Sequence, residues 1–290
     1  MAIYKKGSKG DVVRQIQSAL GLIPDGVFGV MTENAVKKFQ QENGLIVDGI
    51  VGDKTLSAII SDSSSIIKLN GGIEIVPNFL PYDEYISGKY SNNYIILHHT
   101  AGWDDPEKEI NNWAKDSLRK VGTEFIIGGQ RCTDGRSLYD GKIMKAFPDG
   151  CQANHIGKSG SSYMNLHSVG IELCNFGYCK KGRTYTGANV ISSQMCETPE
   201  FRGFTQWHKY SDKQLKSLHE LLLYVSKRDN IDLHRGLYEW IKKEGSPKAF
   251  DFHQDAYNGS VKGLLTHANI RKDKFDVSPQ DELIDMILTL

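Results

Sequence analysis

The sequence predicts an α/β protein: a mixed central β-sheet flanked by helices, preceded by a small module of three helices. Three observations predict it. Short apolar runs within Tyr94–Gly102, Thr123–Gly129 and Ser168–Asn175 read as strands, and amphipathic helical stripes alternate with them. Hairpin-like and helical connections both occur between these runs, which favours a layered domain with a mixed sheet. The first sixty residues repeat themselves around two Asp-Gly turns. A Ser-rich start and a Gly pair then mark a break, so the expected layout is a module over 1–60, a linker over 61–74 and a larger domain over 75–290.

Composition narrows the function. Lys+Arg and Asp+Glu are both 35 among 290 residues, so the net charge is zero and neither nucleic acid nor an acidic polymer is indicated as partner. No apolar run approaches the roughly 18 residues a membrane span needs, so no membrane insertion is expected. Met1–Gly7 lacks the apolar segment of a secretory signal, which predicts synthesis in the cytoplasm. Nothing points to an oligomer, and a monomer is the default. The five cysteines lack paired C-x-x-C spacing, and an odd count argues for free thiols. Cys174/Cys179 and Cys179/Cys196 are the candidate disulfides.

In the N-terminal module, Leu22-Ile23-Pro24-Asp25-Gly26-Val27-Phe28-Gly29 is echoed by Leu45-Ile46-Val47-Asp48-Gly49-Ile50-Val51-Gly52. Glycine supplies the positive φ that the Asp-Gly turns require. Asp11 and Thr32 are the expected caps of two helices, Gly44 ends the second and Asp53 starts a third. Val12, Ile16, Ala19 and Leu20, then Ala35, Val36 and Phe39, form the inward stripes. Phe28, Phe39 and Ile50 read as core rather than ligand contacts.

In the larger domain, Tyr94-Ile95-Ile96-Leu97 carries His98 and His99 at its end, on opposite faces by strand alternation. Asp105 caps a helix with Pro106 in its first turn and a stripe of Ile110, Trp113, Ala114 and Leu118. Asp134-Gly135-Arg136 is a turn, and Cys151–Lys158 is a polar loop. The strand from Ser168 carries Glu172 among apolar residues. An interior carboxylate there needs a partner, whereas on an edge strand it would face solvent. Residues 179–210 show no clear period and read as a long irregular insertion. Ser211-Asp212-Lys213-Gln214 reads as a capping box for a strong helix, residues 234–265 as a second insertion with one short helix, and Ser278-Pro279 as the start of a terminal helix.

Two histidines and an aspartate far apart in sequence would suffice for a zinc site with one open position, although a surface His and a capping Asp are the commoner reading. The motifs add to this. Gly10-Asp11-x-Val13-x-x-Ile16-Gln17, Asp25-Gly26-x-Phe28-Gly29, Ala35-Val36-x-x-Phe39-Gln40 and Asp48-Gly49-x-Val51-Gly52 resemble the peptidoglycan-binding domain found beside cell-wall hydrolases. Ile96–Gly102, Phe125–Ile127, His155–Lys158, Ser168–Leu173 and His267–Pro279 stand in the order seen in zinc-dependent N-acetylmuramoyl-L-alanine amidases, the type shared with peptidoglycan recognition proteins.

That resemblance implies Zn2+ held by His98, His267 and Asp276, catalysis by Glu172 and Lys274, and a substrate side at His155, His99 and Thr100. Thr123 stands where other members have a tyrosine, so a tyrosine role there is absent. The implied substrate is bacterial peptidoglycan, cut between N-acetylmuramic acid and L-alanine. The implied source is a phage endolysin, with a bacterial autolysin as the alternative. A non-cutting recognition protein and a zinc peptidase of the stem peptide are the competing functions.

Overall fold

The computed structural model describes every residue except 1–2, 64–65, 87, 89, 116–118 and 158–161. Ser64 and Ser65 of the expected linker, Leu118 of the helical stripe and Lys158 of the polar loop lie outside the described residues.

The N-terminal module comprises α1 (Asp11–Ala19), α2 (Val30–Glu42) and α3 (Asp53–Ser63) around Val13, Ile16, Phe28, Val36, Phe39, Val51 and Ile59. The sequence repeat is also a hydrogen-bond repeat. Gln17 Nε2 on α1 lies 2.8, 3.0 and 2.9 Å from Asp25 Oδ1, the Val27 carbonyl and Thr32 Oγ1. Its Oε1 accepts from Gly26 N at 2.9 Å. Gln40 on α2 repeats the pattern on Asp48, Ile50, Thr55 and Gly49. Each glutamine thus saturates one Asp-Gly turn from inside. Asp11 and Thr32 are therefore not caps. Gly10 and Gly29 hold the cap positions, Asp11 is the first helical residue, and Thr32 is buried within α2 as a partner of Gln17.

In the larger domain a seven-stranded mixed sheet runs in the order β1 (Ile67–Lys68), β2 (Glu74–Pro77), β5 (Ile143–Lys145), β4 (Phe125–Ile127), β6 (Ser168–Leu173), β3 (Tyr94–His99) and β11 (Gly263–Thr266). β3 (Tyr94–His99) is followed by α4 (Pro106–Trp113), β4 (Phe125–Ile127), β5 (Ile143–Lys145), α5 (Ser162–Leu166) and β6 (Ser168–Leu173). β7 (Cys179–Lys180) with β8 (Arg183–Thr184), and β9 (Met195–Phe201) with β10 (Phe204–His208), form two separate hairpins. The chain closes with α6 (Asp212–Asp229), α7 (Leu237–Glu244), α8 (Gln254–Tyr257), β11 (Gly263–Thr266), α9 (His267–Ile270) and α10 (Asp281–Ile287).

Alternation along the central strands sorts the two faces. Ile95, Leu97, Val169, Ile171 and Leu173 join the large core, which also takes Leu218, Leu222 and Val225 of α6 and Leu283 and Ile287 of α10. Tyr94 and Ile96 point the other way, onto Ile156, Met164, Leu265 and Ile270. Burying a side chain of this kind contributes about 1.5–3 kcal/mol, so slipping a central strand by one residue would forfeit several such terms at once.

Several expectations are corrected. The span 61–74 holds the end of α3 and the strand β1, because Ile67, Leu69 and Ile73 pack against the main core. Residues 179–210 carry two antiparallel hairpins; β7 and β8 have two residues each, and the seven-residue β9, Met195–Phe201, is polar and shows no apolar alternation. Residues 234–265 include β11, a central-sheet strand of only four residues. Ser278 does not cap α10; its hydroxyl accepts from Gln280 Nε2 at 3.0 Å and the helix begins at Asp281. Ser211 caps α6 as expected, but the Gln214 side chain turns to the Ile127 and Cys174 carbonyls, so the capping box is half formed. All five cysteines are free thiols.

Candidate active site

Three parallel strands deliver the site. His98, next to last on β3, stands directly opposite Glu172 on β6, and Thr266 at the end of β11 pairs with Leu97. His267 is therefore the first residue past the sheet, at the level of His98. A reciprocal cap fixes this turn: Thr266 Oγ1 accepts from Asn269 N at 3.2 Å, and Asn269 Oδ1 accepts from Thr266 N at 2.8 Å. Asp276 returns on the following loop, tied by the Ala268 amide to its own carbonyl at 3.0 Å.

His98 Nδ1, His267 Nδ1 and Asp276 Oδ2 converge. The two nitrogens are 3.0 Å apart, Asp276 Oδ2 is 3.0 Å from His267 Nδ1, and it is 3.4 Å from His98 Nδ1. Ligands about 2.0–2.1 Å from a tetrahedral zinc stand about 3.4 Å from one another, so the triangle is close to the size such an ion needs. His267 Nε2 faces the Ile156 carbonyl at 3.1 Å, and a carbonyl can only accept, so Nε2 donates there and Nδ1 is the nitrogen turned to the other two groups. Burial lowers His98 to about 4, with the neighbouring His267 adding to the effect, so the ring is neutral at pH 7. Burial alone would raise Asp276, but His267 and His98 hold its carboxyl well below the usual range. Two imidazole nitrogens and a carboxylate oxygen that face one another form a group that could hold a metal ion.

A cavity of about 390 Å³ opens over this group and is lined also by His99, Thr100, His155, Glu172, Tyr178, Tyr185 and Lys274. β6 is an interior strand, so Glu172 is not on an edge. Burial, and after it the charges of Asp276 and Glu109, push its carboxyl well above the usual range, while Lys274 pulls it back. His99 lies on the other strand face, with Nδ1 3.2 Å from the Tyr210 hydroxyl and its ring against Trp207, yet it reaches the same cavity. Thr100 Oγ1 reaches the Asn175 carbonyl at 3.1 Å. His155, expected on the substrate side, lines the cavity and also stands with Nδ1 2.9 Å from His98 Nε2.

Sequence reasoning missed one wall. Tyr178 stacks on Phe204 with ring centroids 3.6 Å apart, and Phe275 packs against both. Tyr178 precedes the first hairpin and Tyr185 follows its second strand; the aromatic content of 179–210 was the one available signal. Ser168 and Gly170 were also missed. Their spacing of two from Glu172 puts all three on one face of β6.

The sequence profile of N-acetylmuramoyl-L-alanine amidases matches residues 88–274, well over half of the chain, and the chain belongs to this family. A peptidoglycan-binding domain profile matches residues 9–59. No curated protein sequence matches the chain. Among solved structures, PlyL is 14% identical over 69% of this chain and 85% of its own, with a TM-score of 0.39. The amidase LysC from Clostridium intestinale URNW is 17% identical over 70% and 88%, with a TM-score of 0.38. The E. coli amidase AmiD, in complex with an anhydro-N-acetylmuramic acid tripeptide, is 20% identical over 50% and 46%, with a TM-score of 0.32.

Proposed function

We propose that this chain is a zinc-dependent amidase that hydrolyses the bond between N-acetylmuramic acid and L-alanine of peptidoglycan. The observation that carries the reading is the convergence of His98, His267 and Asp276 on one point beside Glu172. These three residues would hold the zinc. When bound there, zinc supplies Lewis acidity toward a carbonyl and lowers the pKa of water.

The remaining roles belong to the chain. Glu172, as the carboxylate, takes the proton of the attacking water and returns it to the amine as the C–N bond breaks. Lys274 lines the same cavity, where its ammonium balances the charge that develops on the carbonyl oxygen. His99 and Thr100 border the substrate side, and residues 1–60 hold the enzyme at the wall. A binder joined to an amidase suits a phage endolysin acting on the host wall. No described helix is long and apolar enough to cross a membrane.

Mass spectrometry of digested peptidoglycan tests this. Free L-alanine amino termini with intact glycan are expected; new termini inside the stem peptide, or no cleavage, would overturn the reading. Chelation should abolish turnover and added zinc restore it. Full activity in metal-free protein would remove zinc from the mechanism.

A further inference from the structure

We infer that His155 and Ser168 form a tautomer lock that turns the Nδ1 lone pair of His98 into the site. The inference rests on the proposed ligand set and assigns two residues that set leaves out.

The proton positions follow from which atoms can only accept. Ser168 Oγ contacts the Met164 carbonyl, which has no proton to give, so the hydroxyl proton points there. Ser168 Oγ is then an acceptor toward His155 Nε2 at 2.9 Å, and His155 carries its proton on Nε2. His155 Nδ1 is in consequence a bare acceptor. It stands 2.9 Å from His98 Nε2, so His98 donates from Nε2. Nδ1 of His98 has no proton and faces His267 Nδ1 and Asp276 Oδ2. If the relay ran the other way, two acceptors would meet at Ser168 and Met164. The His98 proton would also sit on Nδ1, among the lone pairs where a cation must go.

The surroundings hold the lock in place. Asn165 Oδ1 accepts from the amides of both His155 and Ile156 at 3.0 Å, pinning the loop. Ile156 in turn gives its carbonyl to His267 Nε2, so one short loop orients both imidazoles. Gly170, between Ser168 and Glu172, leaves room for the ring: a Cβ there would lie 3.0 Å from His155 Nδ1. Partners of this kind orient a metal-bound imidazole and commonly change metal affinity by about 10–100-fold. His155 and Ser168 are thus positioning residues that act through His98.

The test uses the full chain and two readouts. In metal-free protein, nitrogen-15 ring spectra should show His98 as the Nε2–H tautomer, and His155→Phe or Ser168→Ala should release it to a mixture. By competition with a chromogenic chelator, zinc affinity should fall about 10–100-fold in both variants. His155→Asn places an amide oxygen near the position of Nδ1 and should recover part of the loss, which a merely structural role would not predict. A His98 ring protonated on Nδ1 in the wild-type protein, or unchanged zinc affinity in both variants, would overturn the lock. A wild-type chain that takes up no zinc would sink the ligand set instead, while the ring spectra would still decide the relay.

Discussion

Gly170→Ala is the sharpest probe of how the sheet makes room for the site. Gly170 sits in mid-strand with ordinary extended backbone, so the substitution carries no conformational penalty of the left-handed kind. The added Cβ would instead stand 2.8 Å from Thr123 Cγ2, 3.0 Å from Thr123 Cβ and 3.0 Å from His155 Nδ1. Carbon contacts are comfortable at about 3.5–4.0 Å, so both neighbours must yield by about half an ångström or more. Thr123 is buried in the connection leading to β4, and His155 is held by Ser168 and Asn165, so neither moves freely. Overpacking of this sort costs about 1–3 kcal/mol. For a domain of this size that lowers Tm by about 2–12 °C. Thermal melts with and without Thr123→Ser make the assay. The serine removes the closest contact, so the double variant should recover part of the loss as a coupling of about 0.5–3 kcal/mol. A Gly170→Ala protein that melts with wild type, with no coupling to Thr123→Ser, would refute the close-approach account.

Glu172→Gln should lower turnover on soluble muropeptide by about 10²–10⁴ with zinc content unchanged; wild-type turnover would remove Glu172 as the proton carrier. Gln17→Leu should strip the first Asp-Gly turn of its internal partners and cost the N-terminal module about 1–3 kcal/mol. Hydrogen exchange would then be faster at the Gly26 amide, which Gln17 Oε1 holds at 2.9 Å, with turnover on soluble muropeptide unchanged. Unaltered exchange there would show that the turn holds itself. A chain truncated to begin at Ile66 should melt higher than one beginning at Ile75, because Ile67, Leu69 and Ile73 pack on the main core. Equal melting temperatures would mean that β1 adds nothing to the sheet.

What the sequence made legible follows the range of the interactions involved. Tyr94–Leu97 and Val169–Leu173 are long enough for apolar content alone to reveal a strand. Asp105-Pro106 and Ser211 reveal helix starts, because a cap is satisfied within three residues. Caps failed where a different partner claimed the side chain. Thr32 serves Gln17, fifteen residues away, and Ser278 serves Gln280. β11 failed because Gly263–Thr266 holds only two apolar residues, Leu264 and Leu265, even though it sets the position of His267.

The site divides along the same line. Motif resemblance placed His155 with the substrate; His155 does line the cavity, and it also lies against His98. Nothing local could have shown that contact, because it depends on which strands pair and in what register. Alternation says that Ser168, Gly170 and Glu172 share a face. It cannot say that the face is the one carrying His98. That follows only from the parallel pairing of Tyr94 with Ser168 and of His98 with Glu172. A slip of one residue would turn all three into the large core and bring Val169 and Ile171 to the metal site instead. The apolar side chains that fix this register, Ile95, Leu97, Val169 and Ile171, touch no substrate, yet they decide which polar groups meet at the strand ends.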